Sequence, residues 1–148
     1  MVDASANGRT GGEFPMVVEL GKIREFAAAT GSENPAYRTA DRPVSPATFL
    51  TTAAFWHTDD SDPWPHVRMN PRRGLHAEQE FVFHGPPPAA GDRLVCRSRI
   101  ADVYQKTSRR GGTLTFAVMV TEFRDADGRL VAEARSTGVE TSQPVEQP

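Results

Sequence analysis

Within one short stretch of the sequence, His57, Asp59, Asp60, Asp62 and His66 bring together two imidazoles and three carboxylates. Such side chains bind metal or move protons, but their spacing fits neither a zinc signature nor a calcium loop. The stretch reads as a flexible acidic loop without a metal. His57, at the end of an apolar segment, is the member closest to a core. Further on, His76, Glu78 and Glu80 alternate. Read as one face of a strand, they are an acid–base pair if sunk in a cleft and a solvated face otherwise. Arg72-Arg73 and Arg109-Arg110 are paired guanidiniums able to grip phosphate, or plain solvated charge. Cys96, mid-strand on the apolar side, reads as a small core residue rather than a nucleophile. Nucleophile elbows, phosphate loops and dinucleotide fingerprints are missing, so no cofactor is expected.

The elements that position these residues follow from periodicity. A short strand is expected near Pro15–Leu20. A helix over Lys22–Thr30 follows, with Ile23, Phe26, Ala27 and Thr30 on one face and Gly31 as its stop. Asn34-Pro35 marks a turn. Ser45 is a candidate cap and Pro46 a good first residue for a second helix running to Trp56. That segment is apolar nearly all round, which predicts burial on most sides. The region His57–Arg73 is a long loop. Four strands are expected after it: Leu75–Phe83, Leu94–Tyr104, Leu114–Thr121 and Leu130–Arg135. Asp125-Ala126-Asp127-Gly128 is a hairpin turn, and the whole is compatible with a meander. One curved antiparallel sheet wrapped round a buried central helix is an α+β arrangement. Residues 1–13 and 142–148 read as disordered tails flanking one domain, 14–141.

The 148 residues suffice for one core, and a net charge of -2 gives no general attraction to nucleic acid or membrane. One cysteine excludes an internal disulfide. Without an apolar N-terminal run or a long apolar stretch, a cytoplasmic protein is expected.

Taken in order, Val18-Glu-Leu-Gly-Lys-Ile-Arg-Glu-Phe-Ala, Gly31-Ser-Glu-Asn-Pro-Ala-Tyr, Ser45-Pro-Ala-Thr-Phe, Leu75-His-Ala-Glu-Gln-Glu-Phe, Gly91-Asp-Arg-Leu, Ala101-Asp-Val-Tyr and Leu130-Val-Ala-Glu-Ala-Arg-Ser-Thr resemble the MaoC-like, or FAS1-like, (R)-specific dehydratase domain. The resemblance spans roughly Pro15–Glu140. It implies a single hot-dog fold and a dimer with acyl tunnels near the subunit interface. The implied reaction is dehydration of 3-hydroxyacyl thioesters, or hydration of 2-enoyl thioesters, carried on coenzyme A or acyl carrier protein. It also implies a thioester contact at the start of the central helix, from the N–H groups of Ala47 and Thr48. Asn34 and Tyr37 become candidates to orient the substrate or the partner, against a plain turn with Tyr37 packed over it. The arginine pairs become candidates for coenzyme A phosphates or an acidic carrier.

The family's catalytic motif, Gly-Asp-x-Asn-Pro-x-His, is altered here: Ser32 stands at the Asp position and Tyr37 at the His position. Neither group titrates near neutrality, where general acid–base work needs one. The expectation is therefore the half of a heteromeric hydro-lyase that shapes the acyl tunnel, with a MaoC-like partner supplying the Asp and His. Alternatives are a self-sufficient homodimer using His76 or His57, a non-enzymatic acyl-thioester-binding or scaffold protein, and a hot-dog thioesterase. The last is disfavoured because Pro46–Trp56 carries no carboxylate.

Overall fold

The computed structural model describes residues 2–108 and 112–142. Five strands, β1 (Thr10–Val17), β2 (Gly74–Phe83), β3 (Arg93–Thr107), β4 (Thr113–Arg124) and β5 (Leu130–Thr141), form one antiparallel sheet in the order β1-β3-β4-β5-β2. Alternation decides its faces. Leu94, Cys96, Ser98 and Ile100 are buried, while Arg93, Val95, Arg97 and Arg99 between them are exposed. The expected meander holds for β3, β4 and β5. It fails for β2, which lies beyond β5 instead of beside β3. The Asp125–Gly128 hairpin is present, with Gly128 at φ +79° and its N–H donating to Asp125 O at 3.0 Å.

Two apolar clusters cover the concave face. In the larger, helix α1 (Leu20–Ala29) buries Ile23 and Ala27, one turn apart, beside Phe49, Leu50 and Ala53 over Phe14, Met16, Phe123 and Ala132. Phe26 meets Phe49 edge to face, with ring centroids 5.6 Å apart. Burying each such aromatic contributes about 1.5–3 kcal/mol. The central segment, Phe49–Phe55, is a 3-10 helix rather than the α-helix its composition predicts. Thr51 explains the tightening: its N–H and its hydroxyl both donate to the Thr48 carbonyl, at 3.2 and 2.8 Å. Nor is the segment buried all round, for Phe55 is 82% exposed.

The second cluster contains Val2, Ala6, Val67, Ile100 and Ala117. Residues 2–13 thus differ from the tail expected of their composition. Val2 and Ala6 are buried, Gly8 N–H donates to Ile100 O, Ile100 N–H to Arg9 O, and β1 already pairs Thr10 with Arg99. Small residues let this segment lie close against the sheet. At the other end, β5 runs to Thr141, and residues 143–148 lie outside the described part.

The sheet's two edges differ. β1 is covered by the loop after the central segment, where Gly12 N–H donates to Asp60 O at 2.9 Å. β2 is uncovered, with residues 75–80 exposed on both faces. Among the described residues no helix is long and apolar enough to cross a membrane.

Candidate functional site

Gly31, at φ +67°, ends α1 and starts the turn that carries the altered motif. Ser32 N–H donates to Ala27 O at 2.8 Å, and its hydroxyl oxygen lies 3.4 Å from the Asn34 N–H. Asn34 Oδ1 accepts from Ala36 N–H at 3.0 Å, capping the single-turn helix α2 (Pro35–Arg38). Tyr37 is half-buried against the larger apolar cluster. Local turn chemistry and packing therefore account for both residues. Ala47 and Thr48 are exposed in the turn before the central segment, where Phe49 N–H donates to Pro46 O at 3.0 Å. Ser45 does not cap this segment. Its hydroxyl is buried without a partner among the described residues, while its N–H donates to Pro88 O at 2.8 Å. Its backbone is held instead by the loop before β3, and no side-chain cap bond forms at the start of the central segment.

Beside the smaller cluster lies an open pocket of about 550 Å³. Its floor is Met119, Ser136 and Gly138 of the sheet. Ala54, His57, Asp62, Trp64 and Met69 wall it, and Leu75 and His76 of β2 form its rim. Gly138 lets Trp64 and Met69 pack directly on the sheet: a Cβ there would come within 2.8 Å of Trp64 and 2.9 Å of Met69. His57 Nε2 lies 3.3 Å from Ser98 Oγ, which lies 2.8 Å from Thr121 Oγ1. Its Nδ1 lies 3.8 Å from Asp62 Oδ1, and its ring meets Phe14 edge-on at 4.3 Å. Burial holds the His57 pKa below its usual value, and the nearby Asp62 carboxylate only partly offsets this. At neutral pH the ring is uncharged.

His76, Glu78 and Glu80 do not share a face. β2 slips register between His76 and Glu78, so His76 opposes Gly138 while Glu78 opposes Thr137 and Glu80 opposes Arg135. The bulge turns His76 to the concave side and both glutamates to a separate polar depression on the convex side, with Arg99 and Tyr104. The structure thus places His76 on the same pocket as His57 and Asp62, which the sequence reading held in a separate cluster, and removes Glu78 and Glu80 from it.

Asp59, Asp60 and His66 are exposed, and no group of three metal-capable side chains converges among the described residues. Arg72 is exposed, but Arg73 is not merely solvated. It donates to the buried Glu140 carboxylate at 2.7 Å, and Glu140 also accepts from Asn70 N–H at 2.9 Å. Arg109 and Arg110 lie outside the described residues. Cys96 is fully buried, and burial pushes its thiol up to about 12, so it is no nucleophile. Sequence reading passed over Ser98, Thr121, Trp64, Met69, Met119 and Gly138. The only signal for the first two was polarity at strand positions otherwise apolar.

The sequence pattern of the FAS1-like dehydratase domain region matches residues 5–134. A UPF0336 protein of Parafrankia sp. (strain EAN1pec) is 33% identical over 129 residues, covering 82% of each chain. A solved structure of the C-terminally truncated HadBC (3R-hydroxyacyl-ACP dehydratase) complex from Mycobacterium tuberculosis is similar at TM-score 0.69 and 26% identity, over 90% of this chain and 96% of that one. The ChsH1-ChsH2 complex from Mycobacterium tuberculosis shares the fold at TM-score 0.72 and 16% identity, over 98% and 89%. With its five-stranded antiparallel sheet and apolar concave face, this chain has the hot-dog fold and belongs to the FAS1-like dehydratase-domain family.

Proposed function

We propose that this chain is the subunit of a heteromeric 3-hydroxyacyl-thioester dehydratase, or 2-enoyl-thioester hydratase, that shapes the acyl tunnel while a MaoC-like partner supplies the acid–base pair. The observation that carries this reading is the Ser32–Tyr37 turn. A serine hydroxyl beside the Asn34 N–H and a phenol packed on the core stand where the reaction needs groups that exchange protons near neutrality. Asn34, Tyr37, Ala47 and Thr48 remain the proposed contacts to the thioester, on coenzyme A or an acyl carrier protein. The uncovered β2 edge supports association through sheet continuation, because an open edge of this length otherwise invites unspecific pairing. The similarity to the HadBC complex supports a partner of the same fold.

A second reading keeps catalysis in a homodimer of this chain. It is favoured by His57, His76 and Asp62 all lining one pocket. It is weakened at His57, whose Nε2 is engaged by Ser98.

The test is the absorbance of the enoyl thioester, followed with crotonyl and 3-hydroxyacyl thioesters. The purified chain is assayed alone and mixed with a MaoC-like protein that carries the Asp and His. Turnover only in the mixture is expected. Turnover by the chain alone, lost in His76→Ala, would establish the second reading in its place.

A further inference from the structure

We infer that Met69 is an oxidation-sensitive latch: a peroxide converts its thioether to the sulfoxide, and the loop that feeds β2 then comes off the sheet. This rests on packing alone and on neither reading of catalysis. Residues 68–73 join the 3-10 turn Trp64–Val67 to β2. Within that loop Met69 packs on the smaller apolar cluster, while Pro71 and Arg72 are exposed. Its seat is tight and is made of two glycines. A Cβ on Gly74 would lie 3.0 Å from Met69 Cγ and 3.0 Å from its Sδ, and a Cβ on Gly138 would lie 2.9 Å from its Cε. The thioether therefore rests directly on the backbone of both β2 and β5.

Two features make the loop depend on that seat. Arg68, just before Met69, has φ +52°, the only positive φ among the described residues other than glycine. A residue with a Cβ keeps this left-handed conformation only where its surroundings impose it. On the other side of Met69 the loop is anchored to one buried carboxylate. Glu140, 4% exposed, accepts from Asn70 N–H at 2.9 Å and from Arg73 Nη2 at 2.7 Å. Met69 thus secures the first half of the loop and Glu140 the second.

Met69 is half-buried and lines the open pocket, so a small oxidant reaches Sδ. A sulfur lone pair takes one oxygen of hydrogen peroxide. The S–O bond forms as the O–O bond breaks, the sulfur loses two electrons, and the departing hydroxide takes up the remaining proton as water. The product is larger and polar, and no longer suits a seat between two glycines and the Trp64 ring. The other methionines differ. Met16 is 1% exposed within the larger cluster. Met119 lines the same pocket as Met69, but it lies mid-strand between Ile100 and Ser136, with no loop to release.

The full chain is treated with dilute hydrogen peroxide, and each methionine is followed by peptide mass spectrometry. Met69 should oxidise at least about tenfold faster than Met16, as exposure dictates. The oxidised chain should unfold at least about 3 °C lower, and hydrogen exchange should rise in residues 68–76 but not in 94–100. Reduction by methionine sulfoxide reductases should restore both. Met69→Leu keeps the shape without the reactive sulfur, so its Tm should be indifferent to peroxide, whereas Met119→Leu should stay as sensitive as the wild type. Equal oxidation of Met69 and Met16, an oxidised chain with unchanged Tm and exchange, or a Met69→Leu chain that loses as much Tm as the wild type would each overturn the inference. If Met69→Leu does not fold, reversal by the reductases decides alone. All readings are made on the chain by itself, so none of them bears on the subunit reading.

Discussion

The Nε2 of His57 lies 3.3 Å from the Oγ of Ser98, a strand residue that is fully buried. This contact ties the end of the central segment to the middle of the sheet. It also makes a titratable ring part of the fold's interior.

Stability should therefore depend on His57 ionisation. Its folded pKa lies below the ordinary 6.5, with burial the main cause. Above that value both folded and unfolded forms are neutral, and the contribution is fully present. As pH falls from about 6.5 through the folded pKa, the unfolded chain binds the proton first and stability is lost. Thermal unfolding of the wild type and His57→Gln across this range should show a Tm that falls more steeply in the wild type. Parallel curves would remove His57 from the account.

Arg73 and Glu140 form a largely buried ion pair, with Glu140 only 4% exposed. Arg73→Ala leaves the carboxylate buried without this partner and should cost about 3 kcal/mol in urea unfolding. Arg73→Met combined with Glu140→Gln removes both charges and should recover most of that loss. Additive losses would show that the two side chains act independently.

Gly11 sits against the Ser61 carbonyl, where an added Cβ would overlap backbone. Gly11→Ala should destabilise by about 1–3 kcal/mol, because either β1 or its covering loop has to move. An unchanged urea midpoint would show that this edge is covered loosely.

Cys96 offers a chemical reading of the core. A fully buried thiol with its pKa pushed up to about 12 should not react with a disulfide reagent at pH 8 while the chain is folded. Reaction should start only at urea concentrations that unfold the protein. Rapid labelling of the native chain would mean that β1 or α1 opens readily.

Much of the fold was written in local pattern. Period-two alternation in Leu94–Ile100, the Asp125–Gly128 turn, the Ile23/Ala27 face and the Gly31 stop each depend on neighbours in sequence, and each is found where it was read. The altered motif was legible too, since Ser32 and Tyr37 are matters of residue identity. What tertiary structure decided was relative placement. A single extra residue in β2 sends His76 to one face and Glu78 to the other, and alternation cannot show a bulge. The order β5-β2 depends on which edges meet, not on their sequence order. The N-terminal residues pack because the sheet offers Ile100 and Ala117 to cover, a need that their own small side chains do not announce. His57 meets Ser98, and shares an open pocket with His76, only because the fold brings distant parts of the chain together.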